Sequence, residues 1–285
     1  MQKVSIKIRR DQIEEFKVYL YGRENAEATI QKYLTDIRTF FKYLGEDLTV
    51  DRMRLLEYKE WLVKLYAVNS VNSMLAALNQ FLAFLEMDAL KVRRIKVQKN
   101  LFLQEEKELT VKEYKRLFAT ALKEGKEQLA ICMETIVSTG IRISELVFFT
   151  VEAVKKECIE ITNKGKYRRI FLPKQLKRKL LQFAKKQGIS QGAIFITKNG
   201  KPKSRSNIWR EMKNLKEKAG VDGKKIFPHN LRHLFARIYY ETTKDIVGLG
   251  DLLGHSNLNV TRIYTANTGK IYQKQLDLMS RTKLI

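Results

Sequence analysis

The chain has 285 residues, 44% hydrophobic and 30% charged, which is enough to bury one or two cores, and its 55 Lys and Arg against 31 Asp and Glu leave a net charge of +24. A positive excess of that size draws in polyanions, so nucleic acid leads the partners to consider, with a basic structural protein as the alternative. Two cysteines argue against a disulfide scaffold, and the longest uncharged run, 65–85, is broken by Asn69, Asn72, Asn79 and Gln80, which a membrane span would bury unpaired.

The first hundred residues read as helical. Ile30, Tyr33, Leu34, Ile37, Phe40, Phe41 and Leu44 recur at helical spacing, and Gly45 supplies a stop. Further helices are expected over 11–21, 50–66 and 70–87, making a helical bundle over residues 1–90. A basic linker follows over 91–104, with Lys91, Arg93, Arg94, Lys96 and Lys99 and no acid among residues 91–100. It reads equally as a solvated connector or as a strap along a phosphate backbone.

A second domain is expected over 105–285. Thr110 and Glu113 form a capping-box pattern that opens a helix to about residue 123. An apolar helix over 127–138 comes next, with Gly140 as a left-handed stop. Alternation over 158–162 and 167–172, separated by a polar turn, reads as a β-hairpin, and a short third strand is expected over 193–197. Cys132 and Cys158 read as small buried hydrophobes. From Ser204 onward the pattern is helical almost to the end. The fold class is therefore mainly α with a small antiparallel sheet, of the α+β kind. Residues 1–104 hold 18 basic and 13 acidic side chains against 37 and 18 in the rest, so the second domain carries most of the attraction for a polyanion.

Singly, the chemically interesting residues are ordinary. Arg142 reads as a helix residue paired with Glu145, and His229 and Arg232 as neighbours on one helix face. His255 after Gly254 is where a helix cap often stands, and Tyr264 is one of twelve tyrosines. Together they are the parts of a phosphoryl-transfer site without a metal. Guanidinium forks match the negative charge that spreads over the equatorial oxygens of the transition state. A tyrosine hydroxyl, with a pKa near ~10, needs a cationic site or a base before it attacks, and the leaving oxygen needs a proton that a turn lysine can deliver.

Residues 139–146, 228–236 and 253–265 closely resemble the boxes of the tyrosine recombinase (phage integrase) family, and 28–44, with Thr29, Tyr33, Asp36 and Phe40, resembles that family's first core-binding helices. The resemblance implies Tyr264 as nucleophile, forming a 3′-phosphotyrosine, with Arg142, Arg232 and His255 on the scissile phosphate. It implies His229 as an aid to proton removal, Glu145 as the acid that orients Arg142, and Lys164 as general acid with Lys166 as its rival. Lys91, Arg93, Arg94, Lys96, Lys166, Arg168 and Arg205 are expected to contact DNA. His233 reads as structural, because it points elsewhere on its helix. The helix over 70–85 lacks the Arg and Lys expected of a DNA-facing helix; either Asn72, Asn79 and Gln80 read bases or that helix sits away from the duplex.

The same resemblance implies a simple two-domain, site-specific recombinase acting on double-stranded DNA core sites through a Holliday junction. It would work as a homotetramer, with residues 268–279 docking on a neighbour, and without cofactor, metal or ATP. Mobile-element integration and excision is the preferred role, with dimer resolution, type IB topoisomerase action or an inactive DNA-binding regulator as alternatives. Localisation is expected to be cytoplasmic, in a bacterial cell and nucleoid-associated when bound.

Overall fold

The computed structural model describes residues 5–96, 107–156, 158–163 and 166–254, together with Thr261 and Asp277, and the side chains of 162–166 are not among the described atoms. The chain divides into two compact units, Met1–Lys99 and Asn100–Ile285.

The first unit is built on α1 (Gln12–Gly22), α2 (Glu27–Leu44), α3 (Arg52–Leu65) and α4 (Val68–Phe84). The apolar spacing of α2 buries Ile30, Leu34, Ile37, Phe40, Phe41 and Leu44 on one face. That face meets α4, whose Phe81 lies edge-on to Phe16 of α1 at 5.2 Å between ring centroids. Each such fully buried ring contributes roughly 1.5–3 kcal/mol of burial, plus about 0.5–1.5 kcal/mol from the edge-to-face geometry. Asp51 caps α3 by accepting from the Arg54 N–H at 2.8 Å. A two-residue ladder, β1 (Ile6–Lys7) against β2 (Thr49–Val50), closes the unit; it is too short to leave a strand signature in the sequence.

The end of this unit argues against base reading, one of the two alternatives for the asparagines of α4. Asn79 donates to the Val92 carbonyl at 2.9 Å and accepts from the Val92 N–H at 2.8 Å. Asn72 makes the same two-point clasp on Ile95, at 3.0 and 2.8 Å. Two turns of α4 separate the asparagines, and their amides replace the partner strand that residues 92 and 95 lack. Arg52 donates to the Leu90 and Lys91 carbonyls and Lys59 to that of Arg93. Val92 and Ile95 turn inward, while Lys91, Arg93, Arg94 and Lys96 are exposed. The side-chain amides of Asn72 and Asn79 are therefore committed to backbone.

In the second unit, α5 (Val111–Lys123) opens on the expected capping box, with Thr110 and Glu113 bonded reciprocally. It packs on α6 (Glu127–Thr139), which is buried along most of its length. A 3₁₀ turn over Ile143–Phe148 leads through α7 (Val151–Lys155) into a hairpin, β3 (Cys158–Asn163) and β4 (Lys166–Phe171). Its register pairs Asn163 with Lys166, Ile161 with Arg168 and Ile159 with Ile170. Then come α8 (Lys174–Lys186), α9 (Arg205–Lys213), α10 (Lys216–Ala219), α11 (Pro228–Thr243) and α12 (Ile246–Leu253).

The expected third strand is reduced to two isolated bridges, Thr150 with Ala193 and Ile196 with Pro202, because a ladder cannot propagate through single pairs. Cys132 is buried as expected, whereas Cys158, at the first position of β3, is only half-buried. No described helix is long and apolar enough to cross a membrane.

Candidate active site

The site begins where α6 stops. Gly140 adopts a left-handed conformation, with φ 65°, and its N–H returns to the Ile136 carbonyl. A Cβ here would lie 2.3 Å from the ring of Phe235 on α11, so α6 and α11 approach closely at this residue. Ile141 then buries itself, and Arg142 leaves in an extended conformation to start the 3₁₀ turn.

On α11, Pro228 occupies the first turn, where its missing N–H costs nothing, and Arg232 follows one turn after His229 on the same face. Arg232 is 2% exposed and donates to the Gly140 carbonyl at 2.6 Å and the Leu253 carbonyl at 2.8 Å. These neutral acceptors orient the guanidinium without cancelling its charge. Leu253 ends α12, so the carbonyl being held is at the negative pole of that helix.

Glu145 is 2% exposed and saturated. Its Oε2 accepts from the Arg142 N–H and from Arg168, both at 2.7 Å, and its Oε1 accepts from the Arg142 guanidinium at 3.2 Å. Arg142 remains 45% exposed, so part of its fork faces outward. Arg168 is 12% exposed and also donates to the Leu253 carbonyl at 2.6 Å. It was expected on the DNA side; instead the hairpin register sets it opposite Ile161 on the inward face, and its two terminal nitrogens donate inside the protein while the buried Nε has no hydrogen-bond partner.

Arg142, Arg232 and His229 line one cleft of about 570 Å³ with Ser144, Arg205 and Trp209. Arg205 and Trp209 stand one turn apart on α9, and Ser204 caps that helix by accepting from the Asn207 N–H at 3.2 Å. Burial first, then the neighbouring His233, Arg232 and Arg142, lower the His229 pKa to about 4, with Glu108 opposing. The ring is therefore neutral at pH 7, although the residue stays exposed.

Sequence reasoning missed three features here. His233 is more than packing: its ring lies 4.5 Å from that of His229, and its Nδ1 is 3.5 Å from Glu108 Oε1. The i,i+4 spacing of the two histidines was the available signal. Glu108 and Trp209 carried none. Of the expected site residues, the structure brings Arg142, His229, Arg232 and Arg205 to the cleft with Glu145 behind them. Lys91, Arg93, Arg94 and Lys96 belong to the other unit. Lys164, His255 and Tyr264, and the side chain of Lys166, lie outside the described residues.

Two arginine forks and a neutral histidine, set on helices beside a hairpin, define a site built to hold a phosphoryl group and move a proton next to it. Residues 107–270 match the phage integrase family and residues 13–88 the phage integrase N-terminal SAM-like domain, and the chain belongs to this family of tyrosine recombinases, which cleave and rejoin DNA. It is 30% identical over 273 residues to tyrosine recombinase XerA of Pyrococcus furiosus, covering 92% of each chain. The fold is shared with the XerH site-specific recombinase bound to a palindromic difH substrate in a post-cleavage complex, with TM-score 0.69, 19% identity, and 95% of this chain and 84% of that one covered. It is shared too with a lambda integrase tetramer bound to a Holliday junction, at TM-score 0.74 and 16% identity, covering 92% and 78%.

Proposed function

We propose that this chain recombines double-stranded DNA at specific core sites through attack of Tyr264 on the scissile phosphate. The observation that carries the reading is the convergence of Arg142, Arg232 and neutral His229 on one cleft, with Glu145 buried behind Arg142. In this reading the phosphate sits between the two guanidiniums, joined by His255. His229 takes the proton from the Tyr264 hydroxyl as the oxygen bonds to phosphorus. The bond to the 5′-oxygen breaks, and Lys164 supplies the proton that the leaving oxygen needs, with Lys166 as the rival donor. The product is a 3′-phosphotyrosine and a free 5′-hydroxyl. The free energy of the phosphodiester is kept in the new bond, so rejoining needs no ATP. Attack by a 5′-hydroxyl from a second duplex reverses the chemistry and exchanges strands through a Holliday junction.

Four protomers on two sites would perform this exchange, with residues 268–279 docking on a neighbour, a reading supported by the lambda integrase tetramer on its junction. In this reading Arg205, which lines the cleft, and the exposed Lys91, Arg93, Arg94 and Lys96 contact the DNA backbone. Mobile-element integration and dimer resolution use the same chemistry; the Xer relative matched along 92% of its length favours resolution as the physiological role. The reaction is assigned to the cytoplasm.

A nicked suicide duplex tests the proposal, because loss of a short 5′-hydroxyl strand traps the covalent intermediate. Wild-type protein should accumulate adduct, and Tyr264→Phe should lose it while still shifting the duplex. Adduct formed by Tyr264→Phe, with none formed by Tyr272→Phe, would overturn the nucleophile assignment. Efficient relaxation of a supercoiled plasmid without a core site would favour topoisomerase action.

A further inference from the structure

We propose that Arg168 is a positioning residue that keeps the Arg142 guanidinium available to a phosphate by competing with it for Glu145. The inference rests on Arg142 gripping the scissile phosphate, and it adds a role for a side chain inside the site.

Glu145 is a buried carboxylate between two arginines. A carboxylate and a guanidinium left to themselves prefer the two-point fork, which engages both oxygens and turns the guanidinium toward the acid. Arg142 is three residues away on the same turn and could adopt that fork. It does not. Its guanidinium reaches Oε1 alone, at 3.2 Å, while Oε2 is occupied by the Arg142 N–H and by Arg168, each at 2.7 Å. The stronger ion pair is therefore made by the arginine that faces inward, and the weaker one by the arginine that lines the cleft. Arg142 is oriented by Glu145 without being neutralised by it.

The placement of Arg168 suits this task. Its other terminal nitrogen bonds the Leu253 carbonyl at 2.6 Å, so the guanidinium is held from two sides and resists following Glu145 if the carboxylate shifts. The neighbouring backbone is close enough that a Cβ on Gly254 would lie 2.9 Å from Arg168 Cδ. Burial lowers the Arg168 pKa and Glu145 raises it, and a guanidinium in such a pair stays charged at neutral pH. Arg168 is carried by β4, so the hairpin and the Arg142 turn are joined through one carboxylate.

Removing Arg168 leaves Arg142 as the one ion-pair partner of Glu145 among the described residues, and Arg142 then closes onto it. Single-turnover cleavage of the suicide duplex by Arg168→Gln should be about 30-fold or more slower than wild type, while affinity for the intact duplex changes less than about threefold. Arg168→Lys, which keeps a cation against Oε2, should stay within about tenfold of wild type. The deciding variant is Arg168→Gln combined with Glu145→Gln. The neutral amide that Glu145→Gln introduces cannot sequester Arg142, so the double variant should cleave about tenfold or more faster than Arg168→Gln alone, a rescue that loss of mere packing would not allow.

A double variant no faster than the single one, or an Arg168→Gln within about twofold of wild type, would overturn the proposal. Should Arg168→Gln not fold, Arg168→Met with Glu145→Gln removes both buried charges together and is compared with Glu145→Gln alone. Rates within about threefold support the competition, and a further loss beyond about tenfold means that Arg168 acts elsewhere. An active wild type with an unrescued Arg168→Gln counts against Arg168 alone; a wild type that forms no adduct counts against the site as a whole.

Discussion

Substituting Gly140 by alanine perturbs the point where α6, α11 and the Arg142 turn meet. The left-handed backbone at φ 65° costs an L-residue about 1–2 kcal/mol. The added Cβ would sit 2.3 and 2.5 Å from Phe235 ring carbons and 3.0 Å from a Leu253 methyl, and forcing such a contact costs about 1–3 kcal/mol more. Gly125 separates the two terms: its φ is 69°, yet nothing lies within 4 Å of its would-be Cβ. Gly125→Ala therefore reports backbone strain alone, and Gly140→Ala reports strain plus overpacking. At roughly 2–4 °C per kcal/mol for a domain of this size, the steric term of about 1–3 kcal/mol should make Gly140→Ala melt roughly 2–12 °C below Gly125→Ala in differential scanning calorimetry of the full chain. The displaced ring stands one turn after Arg232, whose fork holds the Gly140 carbonyl, so adduct formation should fall for Gly140→Ala and hold for Gly125→Ala. Equal melting temperatures for the two variants would refute the steric reasoning.

Asn79→Ala removes both bonds to Val92 and leaves a part-buried N–H and carbonyl unpaired, a loss of about 2–4 kcal/mol in urea unfolding followed by a probe in the first unit; a loss under about 0.5 kcal/mol would mean that the clasp is incidental. The His229 pKa, near 4 in the folded chain against an ordinary 6.5, means that the unfolded chain binds the extra proton between those values. The stability it reports is present in full above pH 6.5 and is lost as pH falls through 4. Relative to wild type, His229→Gln should lose part of this acid-side decline, by about 1–2 kcal/mol between pH 7 and 4 once partial exposure is discounted. Burial pushes the Cys132 thiol well above its ordinary range, so native protein should alkylate at half-buried Cys158 before Cys132, as read by peptide mass spectrometry; the reverse order would contradict the packing of α6.

Much of this architecture was legible because its signals are local. The apolar spacing of α2, the Thr110–Glu113 box and the Gly140 stop each act within one or two turns, and the spacing of His229 and Arg232 on one face is a property of a single helix. What escaped depends on partners far along the chain. Asn72 and Asn79 look like exposed readers of bases until the chain returns 23 and 13 residues later to meet their amides. Arg168 looks like one more cation in a basic hairpin. Yet the alternation held the answer: Ile159 and Ile161 face the core, and the register puts Ile170 and Arg168 opposite them, leaving Tyr167, Arg169 and Phe171 outward. A one-residue ambiguity in the turn conceals that face from a reader of sequence. The strand expected over 193–197 is reduced to single bridges because no segment among the described residues runs alongside it as a continuous partner.

The clasp by Asn72 and Asn79 also moves the edge of a folding unit. The family's N-terminal domain match ends at residue 88, but a fragment cut there would leave the side-chain amides of Asn72 and Asn79 on α4 without their backbone partners and strip away the buried Val92. A separately expressed N-terminal piece should extend past Ile95 to behave as a stable module. With residues 92 and 95 fixed, the outward cations at 91, 93, 94 and 96 form a comb of set spacing. The ordering entropy of that backbone is incurred once, during folding, so a polyanion that reached these exposed side chains would find their Cα positions already set.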